Sequence, residues 1–85
     1  MSLKENMLIN IKVLFTGLVA VKGISNGDTI EIPTNSTVSY ALSRLGIREE
    51  HKKYIIVLVN EEKSSLSSIL NEGDLLSLFL AVGGG

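Results

Sequence analysis

The chain has 85 residues and a formal net charge of −1, which leaves room for one domain and argues against the basic footprint of a nucleic-acid binder or a polybasic membrane patch. A hydrophobic content of 45% and a charged content of 20% are globular, and the lack of cysteine excludes a disulfide framework, a thiolate metal site and a cysteine nucleophile. No apolar run approaches the roughly 20 residues of a spanning helix, and the first residues lack a signal-peptide pattern, so a cytoplasmic location with small-molecule or protein partners is expected.

The patterned sequence begins at Met7. Met1-Ser2-Leu3 has the look of an expression remnant, and residues 1–6 are expected to form a disordered extension outside the fold. From Leu8 to Phe15 the chain alternates, with Ile9, Ile11, Val13 and Phe15 on one face and Asn10 and Lys12 on the other, which predicts a half-buried strand. The apolar piece Leu18-Val19-Ala20-Val21 between Gly17 and Gly23 reads equally as a hairpin arm, a helical turn or an irregular loop. Ser25-Asn26-Gly27-Asp28 is turn chemistry, and Thr29-Ile30-Glu31-Ile32 predicts a short second strand ended by Pro33.

Asn35, Ser36 and Thr37 offer N-cap acceptors for a helix whose stripe is Val38, Ala41, Leu42 and Leu45, at i, i+3, i+4 and i+7. Gly46 fits the left-handed position of a Schellman stop, with Ile47 over Leu42. Arg48 to Lys53 reads as a charged loop in which His51 is a surface residue without a role. Tyr54 to Val59 predicts a strand covered on much of both faces, closed by a turn at Asn60. Ser64 to Leu70 is expected to make one helical turn, and Asn71-Glu72-Gly73-Asp74 a tight turn with Gly73 at positive φ. In the last strand, Leu75 to Leu80, alternation sends Leu76, Leu78 and Leu80 toward the helix and leaves Leu75, Ser77 and Phe79 on the other face. Leu75 and Phe79 there would await a partner, or be covered by a loop or a second copy.

Residues 81–85, Ala81-Val82-Gly83-Gly84-Gly85, close the sequence as a flexible tail. By composition alone such a tail reads as an unanchored end or a remnant of cloning. It also suits a tether, because glycine fits channels too narrow for a Cβ atom, and three extended residues reach about 10 Å. The element order gives an α+β roll of about four strands on one main helix, with the first and last strands side by side in the middle of the sheet. No carboxylate pair, phosphate-cradling loop, metal spacing or nucleophile with its base stands out, so the chain is not expected to be an enzyme or to bind a metal.

The Ile-Lys-Val-Leu-Phe strand, the Thr37-Val38 helix start, Leu45-Gly46-Ile47, Val59-Asn60, Leu70-Asn71-Glu72-Gly73-Asp74 and the closing Val82-Gly83-Gly84-Gly85 together resemble the β-grasp sulfur carriers. These include the small subunit of molybdopterin synthase (MoaD) and the thiamine-pathway carrier (ThiS). The resemblance spans Met7 to Gly85 and implies a ubiquitin-like β-grasp domain over residues 7–80. It further implies that the C-terminal carboxylate of Gly85 is activated with ATP by an E1-like adenylyltransferase as an acyl-adenylate and converted to a thiocarboxylate. An α-carboxyl with a pKa of about 3.3–3.7 is ionised at neutral pH and can attack the α-phosphorus of ATP. On this reading Gly83 and Gly84 thread the partner's channel, while Phe79, Leu75, Leu80 and Val82 bind the partner. The carrier holds no cofactor itself; ATP is used by the partner enzyme. The acceptor would be the molybdopterin synthase large subunit or, for the thiamine type, thiazole synthase. Leu80-Ala81-Val82 stands where the molybdopterin type often has prolines, and a valine before triple glycine also occurs in the thiamine type. The long first loop, Thr16 to Asn26, favours the molybdopterin type. A ubiquitin-like modifier joined to lysines and an interaction module with an inert tail are the alternatives of other classes.

Overall fold

The computed structural model describes residues 7–16, 19 and 21–80. Strand β1 (Leu8–Phe15) carries the predicted alternation into space: Ile9, Ile11 and Val13 are buried, while Leu8, Asn10 and Lys12 are exposed. Each such buried side chain contributes roughly 1.5–3 kcal/mol relative to exposure, which holds the register against a one-residue slip. Strand β2 (Thr29–Pro33) pairs antiparallel with β1, Ile32 opposite Ile9 and Ile30 opposite Ile11. The turn between them works differently from its sequence signature. Asn26 has no positive φ; instead its Oδ1 accepts from Phe15 N–H (2.8 Å), and Asp28 Oδ2 accepts from Ser25 N–H (2.9 Å).

Helix α1 (Val38–Arg44) buries Val38, Ala41 and Leu42, with Leu45 behind them. Of the cap candidates, Thr37 is the one used: its Oγ1 accepts from Tyr40 N–H (3.1 Å). The helix stops in the anticipated Schellman geometry, with Ile47 N–H to Leu42 O (3.0 Å), Gly46 N–H to Ser43 O (3.0 Å) and Gly46 at φ 86.

Two expectations are corrected beyond that point. Arg48–Lys53 is not a plain loop. Glu49–Lys52 forms a one-turn helix, α2, and Lys52 is only 3% exposed. Its ammonium donates to Ser39 Oγ (2.8 Å), Ser43 Oγ (2.7 Å) and Glu49 Oε1 (2.9 Å), so all three donors are used and α2 is pinned against α1. Ser64–Leu70 is not a helical turn either. Its carbonyls serve the N-terminus of α1, Ser68 O accepting from Val38 N–H and Leu66 O from Ser39 N–H, both at 2.9 Å. Together with the Thr37 cap, this satisfies the first three amides that an α-helix leaves without an internal partner. The segment is therefore a strap, bridged to Thr37 through Ile69, with Leu70 buried beneath it.

Strand β3 (Ile55–Val59) and a two-residue strand β4 (Glu62–Lys63) form a hairpin. Asn60 and Glu61 both have positive φ, 53 and 71, as a type I′ hairpin turn requires. Strand β5 (Leu75–Leu80) enters after a turn with Gly73 at φ 82. It runs parallel to β1 and antiparallel to β3, giving a mixed five-stranded sheet in the order β2-β1-β5-β3-β4, one strand more than expected. The first and last strands do lie side by side at its centre. One face of this sheet and the stripe of α1 enclose the core; Leu76, Leu78 and Val57 close it from the β5 and β3 side.

Candidate functional site

The site is the face of the sheet turned away from α1, at the end where β5 leads into residues 81–85. Cross-strand partners share a face, so pairing identifies its members. Phe79 lies opposite Ile56; Ser77 lies between Leu14 and Leu58; Leu75 lies beside Lys12; and Lys63 lies opposite Leu58. Phe79 and Ile56 are 38% and 39% exposed, and Tyr54, one residue before β3, is 51% exposed. Three large apolar side chains thus stand open at one end of the sheet. Leu14 and Leu58 are half-buried and continue the apolar ground inward.

The alternation predicted for β5 is present: Leu76 and Leu78 are fully buried and Phe79 is open to solvent. Ser77 departs from the expectation of a solvent-facing position, being only 5% exposed. A small side chain in the central strand is shaded by Leu14 and Leu58 on either side. Leu75 shares the face but is half-buried, and Leu80 is half-buried on the helix side against the core. Val82, Gly83, Gly84 and Gly85 lie outside the described residues, as do the expected N-terminal extension 1–6, the whole tail 81–85, and Leu18 and Ala20 of the undecided piece Leu18–Val21.

Sequence reasoning did not single out Ile56, Tyr54, Leu14 or Leu58. Tyr54, Ile56 and Leu58 belong to an apolar run that reads as core, and only the register of β3 against β5 shows which members face away from it, whereas the alternation of β1 already sets Leu14 on the side of Asn10 and Lys12.

The base of β5 is held by a polar network. Asn60 Nδ2 donates to Asp74 Oδ1 (2.9 Å), Asn60 Oδ1 accepts from Leu75 N–H (3.0 Å), and Asp74 Oδ2 accepts from Asn71 N–H (2.7 Å). Val-Asn at the end of β3 and Gly-Asp before β5 are thus two halves of one device. It sets where β5 starts and hence which residues reach its far end. Among the described residues no group of His, Cys, Asp and Glu is placed to hold a metal ion, and no helix is long and apolar enough to cross a membrane. A depression of about 340 Å³ lined by Met7, Pro33, Thr34 and Asn35 sits at the other end of the sheet from Phe79.

A mixed five-stranded sheet rolled over one main helix, with parallel first and last strands at its centre, defines the ubiquitin-like β-grasp class. Solved structures agree. The chain resembles the solution structure of the HVO 2177 protein of Haloferax volcanii at a TM-score of 0.75 and 21% identity, over 92% of this chain and 88% of that one. It resembles the crystal structure of the small archaeal modifier protein 1 of H. volcanii at a TM-score of 0.68 and 25% identity, over 87% and 99%. It also resembles a chain of the complex of subunits 1 and 2 of the molybdopterin-converting factor of Helicobacter pylori at a TM-score of 0.52 and 23% identity, over 91% and 100%. A comparison with curated proteins gives no match. Residues 13–85 match the model of the ThiS family. The chain belongs to the ThiS family, the small ubiquitin-fold sulfur carriers that its sequence resembles.

Proposed function

We propose that this chain is a sulfur carrier of the molybdopterin synthase small-subunit type. The Gly85 carboxylate attacks the α-phosphorus of ATP held by an E1-like adenylyltransferase, and pyrophosphate leaves. A sulfur nucleophile then displaces AMP, and the resulting thiocarboxylate donates its sulfur in the large synthase subunit during molybdenum or tungsten cofactor synthesis. Gly83 and Gly84 lie in the partner's channel, where a Cβ atom would not pass. Phe79 and Leu75 dock the sheet face, with Leu80 and Val82 alongside. The carrier supplies a reacting group but no catalytic site, and ATP is the partner's substrate.

The observation that carries this reading is the family match running from β1 to Gly85. The exposed Phe79 and Ile56 at the end of β5 support it, as does the H. pylori subunit 1, whose structure is a complex with subunit 2. Coexpression with the cognate E1-like enzyme and a sulfur donor tests it. Intact-mass analysis is expected to find one oxygen replaced by sulfur at Gly85, and the product should supply sulfur to the molybdopterin synthase large subunit. Transfer to thiazole synthase instead would make it the thiamine-type carrier. Stable attachment to lysines of other proteins would make it a modifier.

A further inference from the structure

Lysines stand around the apolar ground of the open sheet face. Lys12 is the cross-strand neighbour of Leu75, and Lys63 that of Leu58; both are exposed. Lys53 Nζ lies 5.3 Å from the centroid of the Tyr54 ring, at the same end of the sheet as Phe79. The other described lysines are engaged elsewhere: Lys52 of α2 is buried against α1, and the stem of Lys22 lies along Gly46. The carboxylate nearest the patch along β2, Glu31, pairs with Asn10, farther from Phe79 than the Lys12 row. A chain of net charge −1 therefore sets Lys12 and Lys63 on the two sides of the apolar ground that runs inward from Phe79, with Lys53 at the end where Phe79 and Ile56 are exposed.

We infer that this face takes a protein partner that presents an apolar anchor flanked by carboxylates, the inference resting on the sulfur-carrier reading above. Lys12 and Lys63 lie three strands apart across the sheet, about 14 Å at the usual strand spacing, in the Leu75 and Ser77 rows, so the partner's carboxylates meet them on either side of the apolar ground next to the Phe79 anchor. Rim charges of this kind act mainly on the rate and selectivity of encounter, while the apolar centre holds the complex. A second copy of this chain is a poor occupant, because two such faces brought together would set lysines against lysines.

The test is association with the purified cognate E1-like adenylyltransferase, followed by surface plasmon resonance at low and high salt. Lys12→Glu/Lys63→Glu is expected to weaken binding about tenfold or more at low salt, chiefly through slower association, with the gap narrowing at high salt. Lys22→Glu, the same charge change away from the face, is expected to bind like the parent chain. Lys12→Gln/Lys63→Gln, with a smaller effect in the same direction, covers the case that the reversed pair folds poorly. Parent-like binding by both double variants, or an equal loss in Lys22→Glu, overturns the cationic rim. If Phe79→Ala still weakens binding in that case, the docking face stands without it. Failure of the parent chain to bind and to form a thiocarboxylate overturns the carrier reading itself. A dimer of the chain alone that the lysine variants dissolve would put a second copy on the face and overturn the proposed partner.

Discussion

Asn60 shows how much a single side chain arranges here. Its backbone is left-handed, at φ 53, and its amide joins Asp74 to the N–H of Leu75, so one residue turns the β3–β4 hairpin and anchors the start of β5. Asn60→Ala removes two hydrogen bonds, each contributing about 0.5–1.5 kcal/mol net, and leaves a Cβ residue in a conformation that costs roughly 1–2 kcal/mol. Asn60→Gly loses the same bonds without that strain. Urea melts are expected to show both variants destabilised, alanine the more so; equal losses would mean that the backbone conformation contributes nothing.

At the scale of the element, β5 does two jobs through its alternation. Leu76 and Leu78 close the core, and Phe79, one residue on, points to the opposite side beside Ile56. Leu78→Ala is expected to cost about 2–5 kcal/mol of stability, the range for a buried leucine that leaves a cavity. Phe79→Ala should change the unfolding free energy much less, yet weaken binding to the E1-like enzyme or the large subunit by tenfold or more, since an aromatic anchor at an interface centre often contributes about 2 kcal/mol. If melts rank Phe79→Ala as the more destabilising, the partner surface loses its basis. The strap 64–70 and α2 make the complementary point: both depend on α1, one feeding carbonyls to its first amides and the other placing Lys52 between Ser39 and Ser43.

For the molecule as a whole, stability and function separate along the chain. Among the described residues, the core runs from Ile9 to Leu78, on both sides of the central β1–β5 pair. Deleting Gly84 and Gly85, which have no side chain to bury, is expected to leave the Tm within about 4 °C while abolishing thiocarboxylate formation, because surface changes away from packed features usually stay within about 0.5 kcal/mol. Scanning calorimetry paired with intact-mass analysis reads both. A fall of about 8 °C or more, roughly 1 kcal/mol or above, would place the glycines in the folded body.

What the amino-acid order determined by itself is what local physics can specify. The alternation of β1 and β5, a helix cap within Asn35–Thr37, the Gly46 stop and the Gly73 turn each lie within a few residues and need no distant partner. The glycine-terminated resemblance pointed to the carrier family in the same way, as a linear motif. What only the tertiary structure decided depends on residues far apart in the chain. Glu62–Lys63 is a strand because Val59 and Leu58 face it, and Ser64–Leu70 is a strap because the amides of Val38 and Ser39 need acceptors. Lys52, in a run that reads as solvated, is buried because two serines of α1 complete its ammonium's hydrogen bonds. Ile56 and Leu58 look like core in sequence and belong to the open face, because facing follows from register against β5, and register is a property of paired strands.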